Sequence, residues 1–99
     1  MTLNEIEQAS IHSESPIIKN IFHANGSSVI AIGMKSGAVL DEHKAPYRAK
    51  LMVIKGEIDF NTETESRRLA VYDSYDIPLD VTHSVEAYED ALFLLMQES

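Results

Sequence analysis

Residues 41–57, DEHKAPYRAKLMVIKGE, decide how the rest of the chain is interpreted. His43 stands just before a run of strand-forming residues that ends at Gly56. Imidazole is a common metal ligand and hydrogen-bonding group, so a histidine placed there suggests a binding site. Ala45 and Ala49 follow where further ligands would be expected, and a methyl group binds no metal. Three interpretations stay open: a metal site, a metal site that has lost ligands, and a plain turn that leads into a strand.

Turn signals on both sides of this stretch divide the chain into short strands. Asn25-Gly26 predicts a two-residue hairpin turn, because both central residues of a type I′ turn need positive φ. About eight strand-forming segments recur at roughly the spacing that is typical of all-β sandwiches and barrels. The segments are 16–22, 29–34, 50–55, 57–61, 69–72, 76–79, 83–88 and 91–96. No long helical period separates them, so the sequence predicts an all-β fold instead of βαβ units.

The remaining segments are polar or charged. Thr2 and Glu5 have the spacing of a capping box, which predicts a short helix over residues 3–9. Residues 62–66 are predicted to form a loop, with a solvated, charge-rich tip that comprises Glu63, Glu65, Arg67 and Arg68. His12 and His23 are predicted to lie on the surface, since histidine outside a motif is more often exposed than functional.

Composition narrows the classes of function. The 99 residues carry 16 acidic and 8 basic side chains, a net charge of −8, which disfavours binding to nucleic acid. No basic amphipathic stretch points to a membrane surface, and no apolar run is long enough to span a bilayer. The absence of cysteine excludes disulfides, thiolate chemistry and Cys-based zinc sites. The polar N-terminus is unlike a signal peptide, so we expect one cytoplasmic domain over residues 1–99.

The spacing of residues 37–56 resembles the first motif of the cupins. That motif places a glycine, a His-x-His pair, a glutamate and a second glycine at fixed intervals. Here Gly37, His43 and Gly56 hold their positions, while Ala45 and Ala49 stand where the second histidine and the glutamate are found. Small single-domain cupins often reduce the His-x-His pair to one histidine followed by Ala-Pro, as this chain does.

Residues 72–87 resemble the second cupin motif. Pro78 and His83 are in step with it, and DIPLDVTHSVEAYEDALFLL resembles the end of many small cupins. Tyr72 and Asp80 stand at the two glycine positions, and Ala87 stands at the asparagine position. The resemblance covers about residues 33–97 and implies an RmlC-like jelly roll, that is, a double-stranded β-helix barrel.

The resemblance also implies a pocket in the barrel mouth where metal ligands from adjacent strands converge. His43 and His83 would be the two remaining protein ligands for a weakly bound divalent transition metal: Fe, Ni, Cu, Zn or Mn. Copper and nickel tolerate a reduced ligand set best, because they stand higher in the affinity order. Strand alternation places Asp41 on the face of His43, where it is a candidate substitute ligand.

Three further residues are predicted to contact a ligand in this pocket. Tyr47 and Arg48 lie between His43 and the next strand, where a phenol and a guanidinium would suit a carboxylate ligand. Met52 is the third, either as an apolar pocket contact or, less favoured, as a soft Cu(I) ligand. The alternative for Met52 is a flexible core filler.

Three functions fit these features. The first is a barrel that binds a small organic ligand with a depleted metal site. The second is a metal-dependent dioxygenase or isomerase that uses His43 and His83 with waters or Asp41. The third is a structural or regulatory dimer whose barrel is filled by side chains. We also expect a homodimer, because residues 16–22 and 91–96 are apolar enough to be covered by a second subunit.

Overall fold

The computed structural model describes residues 1–43 and 47–98, and at Glu42 and His43 it describes the backbone alone. One helix and nine strands lie within these residues. In chain order they are α1 (Leu3–Ser10), β1 (Ile17–Ala24), β2 (Ser27–Met34), β3 (Val39–His43), β4 (Ala49–Lys55), β5 (Ile58–Thr62), β6 (Ser66–Leu69), β7 (Ser74–Ile77), β8 (His83–Ala87) and β9 (Ala91–Glu98). The predicted all-β class and the short N-terminal helix are confirmed.

The strands form two antiparallel sheets. Sheet A has the order β1-β2-β9-β4-β7, and sheet B has the order β3-β8-β5-β6. The β2–β9 and β3–β8 pairs join strands far apart in the chain, as a jelly roll requires. Apolar residues at alternate positions of both sheets meet between them, including Leu51, Val53, Phe60, Val85 and Phe93. The predicted jelly-roll barrel is confirmed, and its core lies between the two sheets.

The hairpin predicted at Asn25-Gly26 joins β1 to β2. Ala24 and Ser27 are Cα partners, so two residues form the turn. Gly26 has a φ of 82°, in the left-handed region that glycine adopts without steric cost. Asn25 does not have a positive φ, so the predicted hairpin is present but the predicted type I′ geometry is wrong. The turn sets the register next to it, and a β-bulge between Asn20 and Phe22 shifts the register farther along.

Helix α1 packs on the outer face of sheet A, the face that points away from sheet B. Thr2 caps it: the Glu5 amide donates to the Thr2 hydroxyl at 3.2 Å, and the Thr2 amide donates to Glu5 Oε1 at 2.8 Å. Ile6 is buried against Ala31 and Leu92. No helix among the described residues is long and apolar enough to cross a membrane.

Two sequence-based assignments in the middle of the chain were wrong. Strand β3 lies in a segment for which the sequence analysis predicted no strand. Strand β6 covers Ser66–Leu69, not residues 69–72, and Arg67 and Arg68 are paired with Phe60 and Asp59 of β5 instead of lying at a loop tip. Both strands lie at the edges of sheet B. Edge strands carry charged side chains that face solvent, so they lack the apolar pattern from which strands are predicted.

Candidate functional site

His83 is the buried histidine of the barrel interior. It opens β8, only 2% of its surface is exposed, and it is in phase with the core residue Val85. Its Nδ1 lies 3.0 Å from the Val81 carbonyl oxygen. A carbonyl oxygen only accepts, so Nδ1 carries the proton of this bond, and in the neutral ring the lone pair is then on Nε2.

The backbone of His43 lies directly opposite His83. The two residues are Cα partners across β3 and β8, although 40 positions separate them in the chain. The fold therefore brings the two motif histidines into adjacent strands at one end of the barrel. The His43 side chain lies outside the described residues, so its role stays a prediction.

An aromatic side chain packs on the His83 ring and a second one packs on the first. Phe60 stacks on His83 with ring centroids 4.8 Å apart and an interplanar angle of 24°. The Tyr75 ring is tilted against Phe60, with ring centroids 4.9 Å apart. The Arg67 guanidinium lies 5.4 Å above the Tyr75 ring. The sequence analysis missed these three residues, because each is recruited by strand pairing and none belongs to a motif.

A β-bulge changes the expected role of Asp41. The register of β3 and β8 shifts between Leu40 and His43, so simple alternation does not continue through Asp41. Asp41 is exposed and lies at the rim of a cavity, where it makes interactions of its own. The prediction that alternation places Asp41 on the face of His43 is corrected by this bulge.

The structure does not bring Met52 into the barrel. Met52 lies between Leu51 and Val53, which both belong to the core, so its side chain is on the outer face of sheet A. Its Cα partners there are Leu94 and Ser74. The prediction that Met52 contacts a ligand in the barrel pocket does not agree with this placement.

Tyr47 and Arg48 lie at the entrance of β4 and are exposed. Arg48 Nε is 2.6 Å from Glu98 Oε1, so the guanidinium is engaged by the last residues of β9. Arg48 also lines a cavity of about 780 Å³ at the end of sheet A, whose walls include the inner-face residues Ala49 and Gln97. The contact of Tyr47 and Arg48 with a ligand stays a prediction.

Two polar residues lie in phase with the inner face of sheet A. Ser28 follows the alternation of Ile30 and Ile32, and Gln97 follows that of Leu95. Ser28 and Gln97 are Cα partners, and Gln97 is also the partner of Ala49, at the motif position where cupins carry glutamate. A polar residue at an inward position of an apolar strand was the signal that would have identified them.

A cavity of about 550 Å³ opens between the edges of the two sheets. Its walls are mostly apolar side chains of β1, β2, β3 and β9, and its rim carries Glu14 and Asp41. The apolar residues are Pro16, Ile18, Ile30, Ile32, Val39, Leu40 and Leu95. Leu40 is the Cα partner of Val85, two residues from His83 on the same face of β8, but His83 is not among the residues that line the cavity.

The backbone supports the alignment of both sequence motifs. Gly37 and Gly56, the first-motif glycines, have φ values of 85° and 74°. Tyr72 and Asp80, at the glycine positions of the second motif, have φ values of 69° and 56°. They are the non-glycine residues with positive φ in the described chain, so the four motif positions keep one backbone conformation although two have lost glycine.

Solved structures share this architecture. KdgF from a Halomonas species is 24% identical, with a TM-score of 0.77, over 84% of this chain and 79% of that one. An RmlC-like cupin from Desulfovibrio desulfuricans is 16% identical, with a TM-score of 0.78, over 86% and 83% of the two chains. A cupin 2 conserved barrel domain protein from Leptotrichia buccalis is 25% identical, with a TM-score of 0.77, over 85% and 41%. The chain is a cupin by fold. No protein-family model and no curated protein matches its sequence.

The described residues do not supply the donor set of a tightly held metal. Among them, no group of three or more His, Asp or Glu side chains converges as a metal site would. Ala49 offers a methyl group at the glutamate position, and residue 45 is alanine in the sequence. The Phe60 ring that stacks on His83 offers a cation neither oxygen nor nitrogen.

Proposed function

We propose that this cupin binds a small organic molecule between its two sheets, with His83 as the buried polar contact. The observation that carries the proposal is a buried imidazole on the inner face, held by Val81 and Phe60, in a barrel that also contains an apolar cavity. The cavity and the imidazole are linked by Leu40, which lines the cavity and is the Cα partner of Val85. Ligand sites are typically apolar pockets with a few placed polar groups, at volumes of roughly 300–1,000 Å³. The cavity of about 550 Å³ falls within that range.

The lining of the cavity favours a neutral ligand. Its walls are aliphatic, and the rim carries two carboxylates, Glu14 and Asp41. The Glu14 carboxylate lies 3.0 Å from Lys35 Nζ, which offsets one of the two charges. The charge of −8 on the whole chain adds a long-range repulsion of anions. We therefore infer a ligand with an apolar body and a neutral hydrogen-bonding group, such as an amide or alcohol.

A thermal-shift screen tests this proposal. The tag-free protein is heated with separate panels of neutral aromatic amides and alcohols, sugars, and small carboxylates. A compound at a hundredfold excess over its Kd adds about 2.7 kcal/mol to the free energy of unfolding. We expect the neutral apolar panel to raise the Tm and the carboxylates to have little effect.

Matched histidine variants locate the site. His83→Phe keeps an aromatic ring on Phe60 but removes the hydrogen-bonding nitrogens, so it should abolish the shift. His23→Phe changes an exposed histidine of β1 and should leave the shift unchanged. A shift that survives in His83→Phe would contradict the proposed contact.

Metal analysis of the same sample separates the other two functions. Mass spectrometry that finds near-stoichiometric Fe, Ni, Cu, Zn or Mn, lost in His83→Phe, would replace the proposal with a metalloenzyme. Failure of every ligand panel, together with an absence of metal after loading, would leave a barrel filled by its own side chains. Either result would overturn ligand binding as the function.

A further inference from the structure

The inner face of sheet A ends in a row of residues from four neighbouring strands. Successive Cα partners across β2, β9, β4 and β7 form this end row: Ser28, Gln97, Ala49 and Ile77. The next row inward is apolar or aromatic and comprises Ile30, Leu95, Leu51 and Tyr75. All the residues of the end row line the cavity of about 780 Å³. The two polar residues of this row are therefore placed at the cavity and not in the packed core.

The Ser28 hydroxyl opens into this cavity. Ser28 is only 6% exposed, and its side chain forms no hydrogen bond with any residue that the structure describes. Among those residues, every side-chain nitrogen or oxygen that is sealed from solvent has a hydrogen-bond partner. The Ser28 oxygen has none, so it is not sealed and faces the cavity that Ser28 lines. A buried hydroxyl is rarely left without a partner, so this one is available to a ligand in the cavity.

Gln97 offers a donor and an acceptor beside that hydroxyl. Its half-buried carboxamide forms no hydrogen bond within the described part of the chain. Gln97 and Ser28 are Cα partners on adjacent strands, about 5 Å apart, so one ligand group can reach both side chains. A carboxamide donates through its nitrogen and accepts through its oxygen, and a hydroxyl does either. The pair is therefore complementary to a ligand group that itself has both a donor and an acceptor.

The charges around the cavity cancel. Arg48 Nε lies 2.6 Å from Glu98 Oε1, and Lys50 Nζ lies 3.6 Å from Asp76 Oδ1. These two ion pairs both line the cavity. A charged ligand would compete with one of them, and an anion would also meet the repulsion of a chain with a net charge of −8. The cavity therefore favours a neutral donor–acceptor group over a carboxylate.

The other half of the end row is apolar. Ala49 presents only a methyl group to the cavity, and Ile77 continues into Pro78 and Leu79 as an apolar wall. Four strands at a spacing of about 4.8 Å place Ile77 roughly 14 Å from Ser28. Ligand sites typically combine an apolar wall with a few placed polar groups. The end row therefore has room for a ligand with a polar head at Ser28 and an apolar body over Ala49.

We propose that the end row binds a primary carboxamide that carries an apolar body. The ligand amide pairs with the Gln97 carboxamide through two antiparallel hydrogen bonds and meets the Ser28 hydroxyl, while the apolar body lies over Ala49. This site goes beyond the proposed function, because no described residue lines both cavities and the contact with His83 takes no part in it. A small carboxamide has few atoms with which to bind, so its expected dissociation constant is about 1–10 mM. A compound that raises the Tm at micromolar concentration therefore reports the other cavity.

Nuclear magnetic resonance with benzamide and benzoate tests the proposal. The two probes have nearly the same shape, but one ends in a neutral donor–acceptor group and the other in an anion. Benzamide, added up to about 20 mM, should shift the side-chain amide resonances of Gln97 and the backbone amide resonance of Ser28. Benzoate should bind about tenfold more weakly or not at all.

Matched variants locate the contacts. Gln97→Met keeps the length of the side chain and removes the carboxamide, so it should weaken benzamide binding about tenfold. Ser28→Ala removes one hydroxyl and should weaken it about threefold. Ala49→Leu fills the middle of the end row and should abolish binding. Gln8→Met, at an exposed position of α1, is the control and should leave the affinity unchanged.

Four results would overturn the proposal. Benzoate that binds as tightly as benzamide would make the end row an anion site. Equal affinity of Gln97→Met and wild type would place the amide elsewhere. Resonances of Ser28 and Gln97 that stay unshifted at about 20 mM benzamide would show that the end row binds no carboxamide. Loss of benzamide binding in His83→Phe would contradict the independence of the two sites, whereas failure of benzamide alone leaves the His83 site standing.

Discussion

Two described contacts position the His83 ring. One comes from a residue nearby in the sequence, and the other comes from a distant strand. The bond to the Val81 carbonyl is local, two residues away. The stack on Phe60 comes from β5, which pairs with β8 only after the chain has folded back. The motif spacing therefore identified the histidine, whereas its aromatic surroundings depended on the pairing of distant strands.

His83 variants should separate these two contacts. His83→Ala removes the ring and leaves a cavity, so we expect the free energy of unfolding to fall by about 2–4 kcal/mol. His83→Phe keeps the stack and loses the hydrogen bond to Val81, which alone costs about 1 kcal/mol. Urea unfolding measures both, and exposed His23→Ala should change the value by less than about 0.5 kcal/mol. Equal losses for His83→Ala and His23→Ala would contradict the buried position.

Tyr72 carries strain that glycine would relieve. Its φ of 69° lies in the left-handed region, which costs a non-glycine residue roughly 1–2 kcal/mol. Because Tyr72 is 79% exposed, little packing is lost when the ring is removed. Glycine also has a larger conformational entropy in the unfolded chain, which offsets part of the relieved strain. We therefore expect Tyr72→Gly to raise the free energy of unfolding by about 0.5–1 kcal/mol.

The control for Tyr72→Gly is Val71→Gly. Val71 is also exposed and has no positive φ, so glycine there should lower stability through the same entropy term. Thermal unfolding of both variants checks the prediction. A loss of stability in Tyr72→Gly equal to that in Val71→Gly would show that the backbone strain is negligible.

At the scale of single elements, Gly33 determines how closely α1 approaches sheet A. A Cβ at this position would lie 2.8 Å from Ser10 Cβ and 3.2 Å from Ile6 Cγ2. Gly33→Ala should therefore displace the helix and cost about 1–3 kcal/mol, as overpacking of a core does. Denaturant unfolding measures the loss.

A second substitution tests the cause of that loss. Ser10→Gly removes both the Cβ and the hydroxyl that the new methyl group would meet. In the Gly33→Ala, Ser10→Gly double variant, the cost should be smaller than the sum of the two single costs. Simple additivity would show that Gly33 does not act through the contact with α1.

The capping box makes α1 sensitive to acid. The Thr2 amide and hydroxyl hold the pKa of Glu5 below its usual value of 4.5. Because the pKa of Glu5 is lower in the folded than in the unfolded chain, its ionised carboxylate stabilises the folded helix. This stabilisation is complete above the unfolded pKa and is lost as the pH falls through the folded pKa. We expect the amide resonances of Thr2 and Glu5 to report loosening of the cap in that acidic range.

Glu5→Gln is the control for the acid effect. Glutamine keeps an acceptor for the Thr2 amide but does not titrate, so its cap should be the same at about pH 6 and about pH 3. If wild type and Glu5→Gln respond equally to acid, other carboxylates must control the N-terminal helix.

At the scale of the whole molecule, the net charge of −8 opposes self-association. Raising the salt concentration from about 20 mM to about 300 mM shortens the Debye length from roughly 20 Å to roughly 6 Å. Screening should weaken the repulsion between copies, so the homodimer predicted from the sequence should associate more tightly at the higher salt concentration. We expect its dissociation constant to fall several-fold, as measured by sedimentation equilibrium.

The reverse salt dependence would contradict this assignment. Association that weakens with salt would mean that charge attraction between subunits, and not apolar contact, drives dimerisation.

The sequence alone determined the features that depend on near neighbours. The hairpin at Asn25-Gly26 needs only a two-residue turn with glycine at its left-handed position, and the helix cap needs only Thr2 and Glu5 at the right spacing. Strand alternation and the two motifs were sufficient to predict the jelly roll and the pairing of the His43 and His83 positions.

Only the tertiary structure decided the surroundings of these residues. The bulge before His43 set the position of Asp41, and the register of β4 placed Met52 on the outer face. The ring of Phe60 reached His83 through the pairing of β5 with β8. A one-residue shift in register moves every side chain of a strand to the opposite face, and that register is fixed by contacts between distant segments.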